Sequence, residues 1–167
     1  GCALEACDRF VRMRDAAGAT DKVSVIMFDH GVTTALNAAD LHAELITDLV
    51  RTSHWSYGGT NFTGAFGAAE QVIRRDVNGL PFLIMFLTDG VGNNIGLDSI
   101  VDRLRQNPDV SMKALSFGDG CDTGYLTNLA RKFGENGEYL AAIDGVQLVE
   151  NFEATAAELS HTGRRNM

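Results

Sequence analysis

The chain has 167 residues, 45% of them hydrophobic and 22% charged, a composition that is ordinary for a globular protein and predicts a single domain over residues 1–167. Its formal charge of -8 excludes a nucleic-acid-binding module, because such modules present a basic face to phosphate. The sequence contains no run of eighteen apolar residues, so no segment is predicted to insert into a membrane.

The hydrophobic pattern predicts helices and strands in alternation. Apolar residues at helical spacing predict a helix over residues 3–14, and the β-branched run VSVIMF at 23–28 predicts a buried strand. The remaining predicted elements are a short strand at 31–35, a helix at 40–50, a helix at 61–76, a strand at 82–87, a helix at 97–104, a strand at 111–117, a helix at 125–133, a strand at 138–143 and a helix at 146–159. This alternation predicts a three-layer α/β domain of Rossmann-type architecture, with a mostly parallel sheet and helices on both faces.

Two polar stretches lie where such a sheet would bind a ligand. Thr88-Asp89-Gly90 follows the strand at 82–87, and Gly58-Gly59-Thr60-Asn61 opens the helix at 61–76. Taken singly, the first is a common turn, and the second is a common helix start capped by Thr60 or Asn61. Ligands of a parallel sheet bind beyond the carboxyl ends of its strands, and Asp89 stands at such an end.

Taken together, the two stretches resemble the von Willebrand factor A family, in which GGTN opens an amphipathic helix and an apolar strand ends in TDG. TDKVSVIMFD at 20–29 resembles the second strand of that family. The stretch 114–152, with its order FGDG…D…L..LA…G…Y, resembles the last two strands and helices. The resemblance covers residues 3–160. It implies the fold of the family and a non-catalytic function, in which a protein partner binds at the top of the sheet through a divalent cation and an acidic residue of the partner.

The resemblance also implies which residues would hold the cation. The family uses Asp-x-Ser-x-Ser after the first strand, a Thr of the GGT loop and an Asp after the fourth strand; the last two correspond to Thr60 and Asp89. The first strand and its Asp-x-Ser-x-Ser are absent, and the nearest internal match, at 109–113, lacks the final Ser and precedes a strand. Mg²⁺ prefers several hard oxygen ligands, and one carboxylate does not offset its dehydration. We therefore expect a partial metal-ion-dependent adhesion site that binds Mg²⁺ or another divalent cation weakly or not at all in this chain alone.

The missing first strand leaves two explanations open. In the family it lies between the second and the fourth strand, so the strands at 23–28 and 82–87 lack their shared neighbour here. Either the chain is truncated at its N-terminus and preceding residues carry the strand and the ligands, or the strand at 23–28 pairs directly with the strand at 82–87. The truncation is preferred, because the chain starts inside a predicted helix.

Aromatic residues stand next to the Thr60 position. Trp55 and Tyr57 come just before Gly58 and Gly59, and they either pack against the helix at 61–76 or form, with the two glycines, a rim that binds the partner. Asp29 and Asp119 also follow predicted strands and would add negative potential, although the family gives them no ligand role.

The sequence gives less support to nucleotide binding, zinc binding or catalysis. FGDGCDTG at 117–124 has two glycines of a dinucleotide loop, but Thr123 replaces the third and two aspartates would repel a pyrophosphate. The four histidines form no zinc-binding pair, and no Gly-x-Ser-x-Gly motif occurs, so the chain is predicted not to be an enzyme.

Cys7 and Cys121 are predicted to be core residues, and the odd cysteine count slightly favours a reducing, cytoplasmic compartment. The second candidate function is a regulatory or scaffolding domain of a larger intracellular enzyme such as a kinase or a metal chelatase.

Overall fold

The computed structural model describes residues 2–52, 60–76 and 79–165, with side chains over 3–52, 60–76 and 79–159, and shows strands and helices in alternation. The strands are β1 Lys22–Phe28, β2 Val32–Asp40, β3 Phe82–Thr88, β4 Val110–Phe117 and β5 Gly137–Ala142. The helices are α1 Cys2–Ala16, α2 Leu45–Thr52, α3 Phe62–Arg75, α4 Leu97–Arg105, α5 Thr123–Arg131 and α6 Gly145–Arg165, and a 3₁₀ turn at Gly134–Asn136 precedes β5. None of the described helices is long and apolar enough to span a bilayer.

The strands form two separate sheets. β3, β4 and β5 are parallel and lie in that order, with β4 in the centre and in register with β3 from Phe82↔Val110 to Thr88↔Ser116. β1 and β2 form an antiparallel hairpin whose register shifts between Val23 and Ile26. The predicted α/β architecture with a parallel sheet is confirmed, but the sheet is divided.

The division falls between β1 and β3. Among the described residues, β1 pairs only with β2 and β3 pairs only with β4, so each keeps one unpaired edge. The alternative in which the strand at 23–28 pairs directly with the strand at 82–87 is therefore wrong for this structure.

Helices cover both faces of the sheets and bury three apolar clusters. The first cluster lies between the parallel sheet and α3, α4 and α5, and it includes Phe62, Phe66, Phe86, Val101, Met112 and Leu126. The second lies between the opposite face and α1 and α6, and it includes Ala6, Leu115, Leu148 and Phe152. The third lies between the hairpin, α1 and α2, and it includes Val11, Leu45, Ile46 and Leu49. The helical stripes of the sequence thus become the core faces, because each helix buries only one side.

The predicted cysteine environment agrees with these clusters. Cys7 packs against the second and third clusters, and Cys121 packs against the first. Burial raises the pKa of Cys7 to about 11, so its thiol stays protonated at neutral pH. Both cysteines are partly buried and pack against the apolar clusters, so the prediction that they are core residues holds only in part.

Two predicted boundaries between 31 and 50 are wrong. β2 runs to Asp40 instead of ending at 35, because Leu36 and Ala39 continue the pairing with β1 and pack against the third cluster. The helix expected at 40–50 begins only at Leu45. Tertiary contacts with β1 therefore decide a segment whose local pattern permits either a strand or a helix.

An ion pair joins α3 to α4 across the surface of the first cluster. Glu70 is 8% exposed, and its carboxylate accepts two hydrogen bonds from the Arg103 guanidinium, at 2.8 and 3.0 Å. This hydrogen bonding, helped by the positive charges of Arg103 and Arg74, holds the pKa of Glu70 below its usual range, while burial opposes the shift.

Replacement of Glu70 by glutamine is expected to destabilise the protein by about 1 kcal/mol at pH 7, because Arg103 loses a charged acceptor but is itself half exposed. The folded-state pKa of Glu70 lies below the unfolded value, so its contribution is present above the unfolded pKa and is lost as the pH falls through the folded pKa. Urea unfolding of the unmodified protein and of Glu70→Gln should therefore give free energies of unfolding that differ at pH 7, and this difference should shrink as the pH is lowered below about 4.

The matched control is Asp102→Asn, which removes an exposed carboxylate that pairs with Arg105 on the same helix. We expect this variant to change the free energy of unfolding by no more than about 0.5 kcal/mol, both at pH 7 and below about pH 4. A Glu70→Gln difference that did not depend on pH would contradict the electrostatic explanation.

Candidate functional site

Loops that follow β1, β3 and β4 meet at one edge of the molecule, together with the start of α3. We call this surface, formed by residues 29–31, 60–63, 88–96 and 118–122, the carboxyl edge. The N–H of Asn61 donates to the carbonyl of Asp29 at 2.7 Å, and the N–H of Asn93 donates to the carbonyl of Thr60 at 2.7 Å. The thiol of Cys121 donates to the carbonyl of Thr88 at 3.3 Å. Two backbone hydrogen bonds and one from a thiol therefore hold these four chain segments against one another.

The structure brings Thr60 and the loop of Asp89 together. The Thr60 hydroxyl donates to the carbonyl of Val91 at 2.8 Å, two residues beyond Asp89, and the Asp89 side chain is exposed to solvent. Their predicted role as metal ligands stays a prediction. Trp55, Tyr57, Gly58 and Gly59, predicted to contact the partner, lie outside the described residues.

The start of α3 is fixed by its cap. Asn61, one of the two predicted caps, accepts a hydrogen bond from the N–H of Gly64 at 2.9 Å. A Cβ at Gly64 would lie 2.7 Å from both the Asn61 amide nitrogen and Val32, so the lack of a side chain allows the helix to start close to β2. Thr60 is thereby freed from capping and contacts the loop instead.

The loop from Asp89 to Gly96 packs against the first turn of α3 and is hydrogen-bonded to it. A Cβ at Gly92 would lie 2.4 Å from the ring of Phe62, so only glycine allows the backbone to approach that ring. The Thr63 hydroxyl donates to the carbonyl of Ile95 at 2.8 Å, which fixes the far end of the loop. A loop attached at both ends presents its outward side chains in a defined position.

Two of those outward side chains are large and apolar. Val91 is 67% exposed and Ile95 is 82% exposed. Sequence reasoning missed both, because an apolar residue in a loop has no periodicity that tells whether it points inward or outward. The one available signal is their context, VGNNIG, in which two apolar residues stand among glycines and asparagines.

The carboxyl edge is acidic. Asp89, Asp119 and Asp122 are exposed, and Asp122 caps α5 by accepting from the N–H of Tyr125 at 2.9 Å. Asp29 is mostly buried, and its carboxylate accepts from the N–H of Gly31 at 2.7 Å in a tight turn. The predicted negative potential of this edge thus comes from aspartates on two neighbouring loops, while the Asp29 carboxylate stabilises the turn that contains Gly31.

A pocket of about 30 Å³ opens between the loop and α5. Phe62, Gly92, Asn94 and Tyr125 line it. Burial raises the pKa of the Tyr125 hydroxyl, and a hydrogen bond with Asn94 partly opposes the shift. Pockets that bind small organic molecules measure roughly 300–1,000 Å³, so this one has room for water only.

The described residues do not form a complete metal centre at this edge. No group of three or more His, Cys, Asp or Glu side chains that could hold a metal ion occurs in the ranges that the structure describes. Thr60 and Asp89 offer one hydroxyl and one carboxylate. Two such ligands supply only part of the six-oxygen shell of Mg²⁺, so water or a partner would have to provide the rest.

Neither a family sequence model nor a curated protein matches the chain. Solved structures do match nearly all of it. A von Willebrand factor type A protein from Catenulispora acidiphila is similar with a TM-score of 0.71 and 14% identity, over 93% of this chain and 38% of that one. Proximal thread matrix protein 1 from the mussel byssus, with a zinc-occupied MIDAS motif, is similar with a TM-score of 0.70 and 18% identity, over 93% and 40%. The ArnB paralog VWA2 from Sulfolobus acidocaldarius is similar with a TM-score of 0.62 and 17% identity, over 91% of this chain and 38% of that one.

This chain therefore spans about two fifths of the length of each of these three structures. At these low identities the likeness establishes the fold and leaves activity and partners open.

Proposed function

We propose that this chain, whose fold is that of a von Willebrand factor type A domain, is a non-catalytic module that binds a protein partner at its carboxyl edge. The observation that carries the proposal is the exposure of Val91 and Ile95 on a loop fixed by side-chain hydrogen bonds from Thr60 and Thr63. Exposed apolar side chains surrounded by polar groups are typical of protein interfaces, where they form the centre of the contact. The loop is already ordered by these bonds, so less conformational entropy is lost on binding.

The small pocket at the carboxyl edge favours contact with a partner over enclosure of a substrate at this edge. The space beside Phe62 and Tyr125 holds about 30 Å³, which is too small to enclose a substrate and exclude water from it. A partner that contacts the outside of the loop needs no such cavity.

A divalent cation is a further part of the proposal, and its ligands would be Thr60 and Asp89. Zinc in the MIDAS motif of the mussel protein shows that this fold can hold a divalent ion, but the described residues here supply only two ligands. With a cation in place, an acidic residue of the partner could complete the coordination. Without it, the carboxylates of Asp89 and Asp119 would repel that residue and favour a basic one.

The test compares Ile95→Ser with Leu80→Ser. Leu80 is 52% exposed just before β3, so it lies at the opposite end of the strand from the carboxyl edge. The chain and each variant are immobilised, exposed to an extract of the source cells and analysed by quantitative mass spectrometry. We expect proteins that bind the unmodified chain and Leu80→Ser to bind Ile95→Ser about tenfold less, as for the loss of a central contact.

Equal retention by all three proteins would reject the carboxyl edge as the binding surface. The same capture in EDTA, and with Asp89→Ala, separates the metal-dependent part of the proposal. Binding that survives both treatments removes the cation from the proposal and leaves the apolar contact.

A further inference from the structure

A second pair of large apolar side chains is exposed where β5 passes into α6. Ile143 is 70% exposed and Val146 is 67% exposed, and neither packs against any of the three apolar clusters. β4 separates β5 from β3, so this pair lies on a different loop from Val91 and Ile95, two strands away along the sheet. We call residues 143–146 the β5–α6 loop.

The exposure of Ile143 is unusual for its place beside a helix start. Asp144 caps α6, because its carbonyl accepts from the N–H of Leu148 at 3.1 Å and its carboxylate accepts from the N–H of Gln147 at 3.0 Å. Ile143 therefore precedes the cap and Leu148 is the fourth helical residue, two positions at which apolar side chains commonly pack together. Leu148 is fully buried, yet Ile143 points into solvent instead of being buried against it.

Hydrogen bonds hold the β5–α6 loop from two sides. The N–H of Ile143 donates to the side-chain oxygen of Gln147 at 2.9 Å, and the carbonyl of Ala142 accepts from the N–H of Gly118 at 3.0 Å. The loop is thus attached both to α6 and to the loop that follows β4. Its apolar side chains are presented in a defined position, so little conformational entropy is lost when a partner binds.

Acidic residues surround this apolar pair. The bond between Gly118 and Ala142 places Asp119 and Ile143 each one residue beyond it, and Glu150 follows Val146 by four residues on the same face of α6. Asp119 and Glu150 are both exposed. Segments 118–126 and 143–154 contain no lysine or arginine, and their five acidic residues are Asp119, Asp122, Asp144, Glu150 and Glu153.

We propose that the β5–α6 loop and the first two turns of α6 form a second interaction surface, which binds a protein segment whose apolar side chains stand next to lysine or arginine. The apolar side chains of the segment contact Ile143 and Val146, which form the centre of the surface. Its basic side chains face Asp119 and Glu150, because opposite charges complement each other across an interface. The inference goes beyond the proposed function, since it involves neither Thr60 and Asp89 nor the loop of Val91 and Ile95.

The same charges disfavour two other occupants. In a symmetric dimer the surface would meet its own copy, and carboxylates would face carboxylates. Membranes with anionic lipids attract clusters of basic residues, and these two segments carry none. A basic segment of another protein is therefore the occupant that fits.

The test selects peptides of about twelve residues from a random display library on the full chain, after depletion on Ile143→Ser. The survivors are synthesised, and their dissociation constants are measured by fluorescence anisotropy. We expect survivors with lysine or arginine beside an apolar residue, and about tenfold weaker binding to Ile143→Ser than to the unmodified chain. The matched control is Ile95→Ser, at a position that is 82% exposed on the carboxyl edge, and it should change the affinity less than about twofold.

Two further measurements test the electrostatic part and the fold. The double variant Asp119→Asn with Glu150→Gln should bind the same peptides about fivefold more weakly at low salt, and added salt should reduce this difference. Ile143→Ser should unfold at the same urea concentration as the unmodified chain, because its side chain is mostly outside the core.

Several results would overturn the proposal. These are the absence of peptides after depletion, survivors without lysine or arginine, or equal weakening by Ile143→Ser and Ile95→Ser. Sedimentation that showed a dimer lost in Ile143→Ser would assign the surface to a second copy, and binding to anionic vesicles lost in the same variant would assign it to a membrane. None of these results would affect the capture experiment on Ile95, so the proposed function is tested separately.

Discussion

Replacement of Phe62 by alanine is expected to lower the free energy of unfolding by about 3–5 kcal/mol. Phe62 is 2% exposed, and its ring contacts the rings of Phe28, Phe86 and Tyr125. Alanine would leave a cavity that α3 cannot close, because backbone bonds from Asn61 and Phe62 already fix its first turn. A domain of this size has about 5–15 kcal/mol of stability, so the loss is a large share of the total.

Urea unfolding monitored by circular dichroism measures this effect. Leu80→Ala, at a half-exposed position, is the control and should change stability by less than about 0.5 kcal/mol. The ring of Phe62 also supports Gly92, so the variant should weaken partner capture along with stability. A loss of less than about 1 kcal/mol would show that the ring contributes little packing energy.

Replacement of Gly137 by alanine is expected to destabilise the protein by about 3 kcal/mol or more. A Cβ at this position would lie 1.9 Å from the carbonyl oxygen of Ala130 and 2.9 Å from the Cβ of Phe133. The first contact is with helix backbone, so relief requires α5 or β5 to move. Because Gly137 pairs with Met112 at the first rung of the β4–β5 ladder, that movement would disturb the sheet.

Gly124→Ala in α5 is the matched control. A Cβ there would lie 3.6 Å from the nearest atom, the Asp122 carboxylate, which is an ordinary contact distance. Because alanine favours the helical conformation more than glycine does, we expect this change to be neutral or to stabilise by up to about 1 kcal/mol. Similar melting curves for the two variants would show that the close approach at Gly137 is relieved without cost.

Sequence reasoning predicted most of the elements because their signals are local. The helical spacing of apolar residues in α3 and the apolar runs of β1, β3 and β4 each identify one element from neighbouring residues alone. The start of α3 was also predictable, because Asn61 was one of two predicted caps. The exact ends were less predictable, as the longer β2 shows, because pairing with β1 depends on residues distant in sequence.

Lys113 illustrates a residue whose place sequence reasoning could not give. It stands in the core strand β4 and is almost fully buried, which the apolar pattern alone does not explain. Its ammonium donates to Glu138 at 2.8 Å and to Glu158 at 3.0 Å, so two elements far along the chain compensate its charge. Burial lowers the pKa of Lys113, but the hydrogen bonds that its ammonium donates to both carboxylates outweigh this effect and raise the pKa above its usual value.

The sequence by itself determined the α/β class and the order of the elements, because periodicity and turn chemistry are set by neighbouring residues. Thr60 and Asp89 became candidate site residues through the resemblance of their two stretches to the von Willebrand factor A family. Only the tertiary structure decided three features of the described residues: the meeting of four chain segments at the carboxyl edge, the outward direction of Val91 and Ile95, and the division of the sheet between β1 and β3. These depend on which distant segments touch and which do not. Distances between segments that are remote along the chain arise only when the whole chain packs.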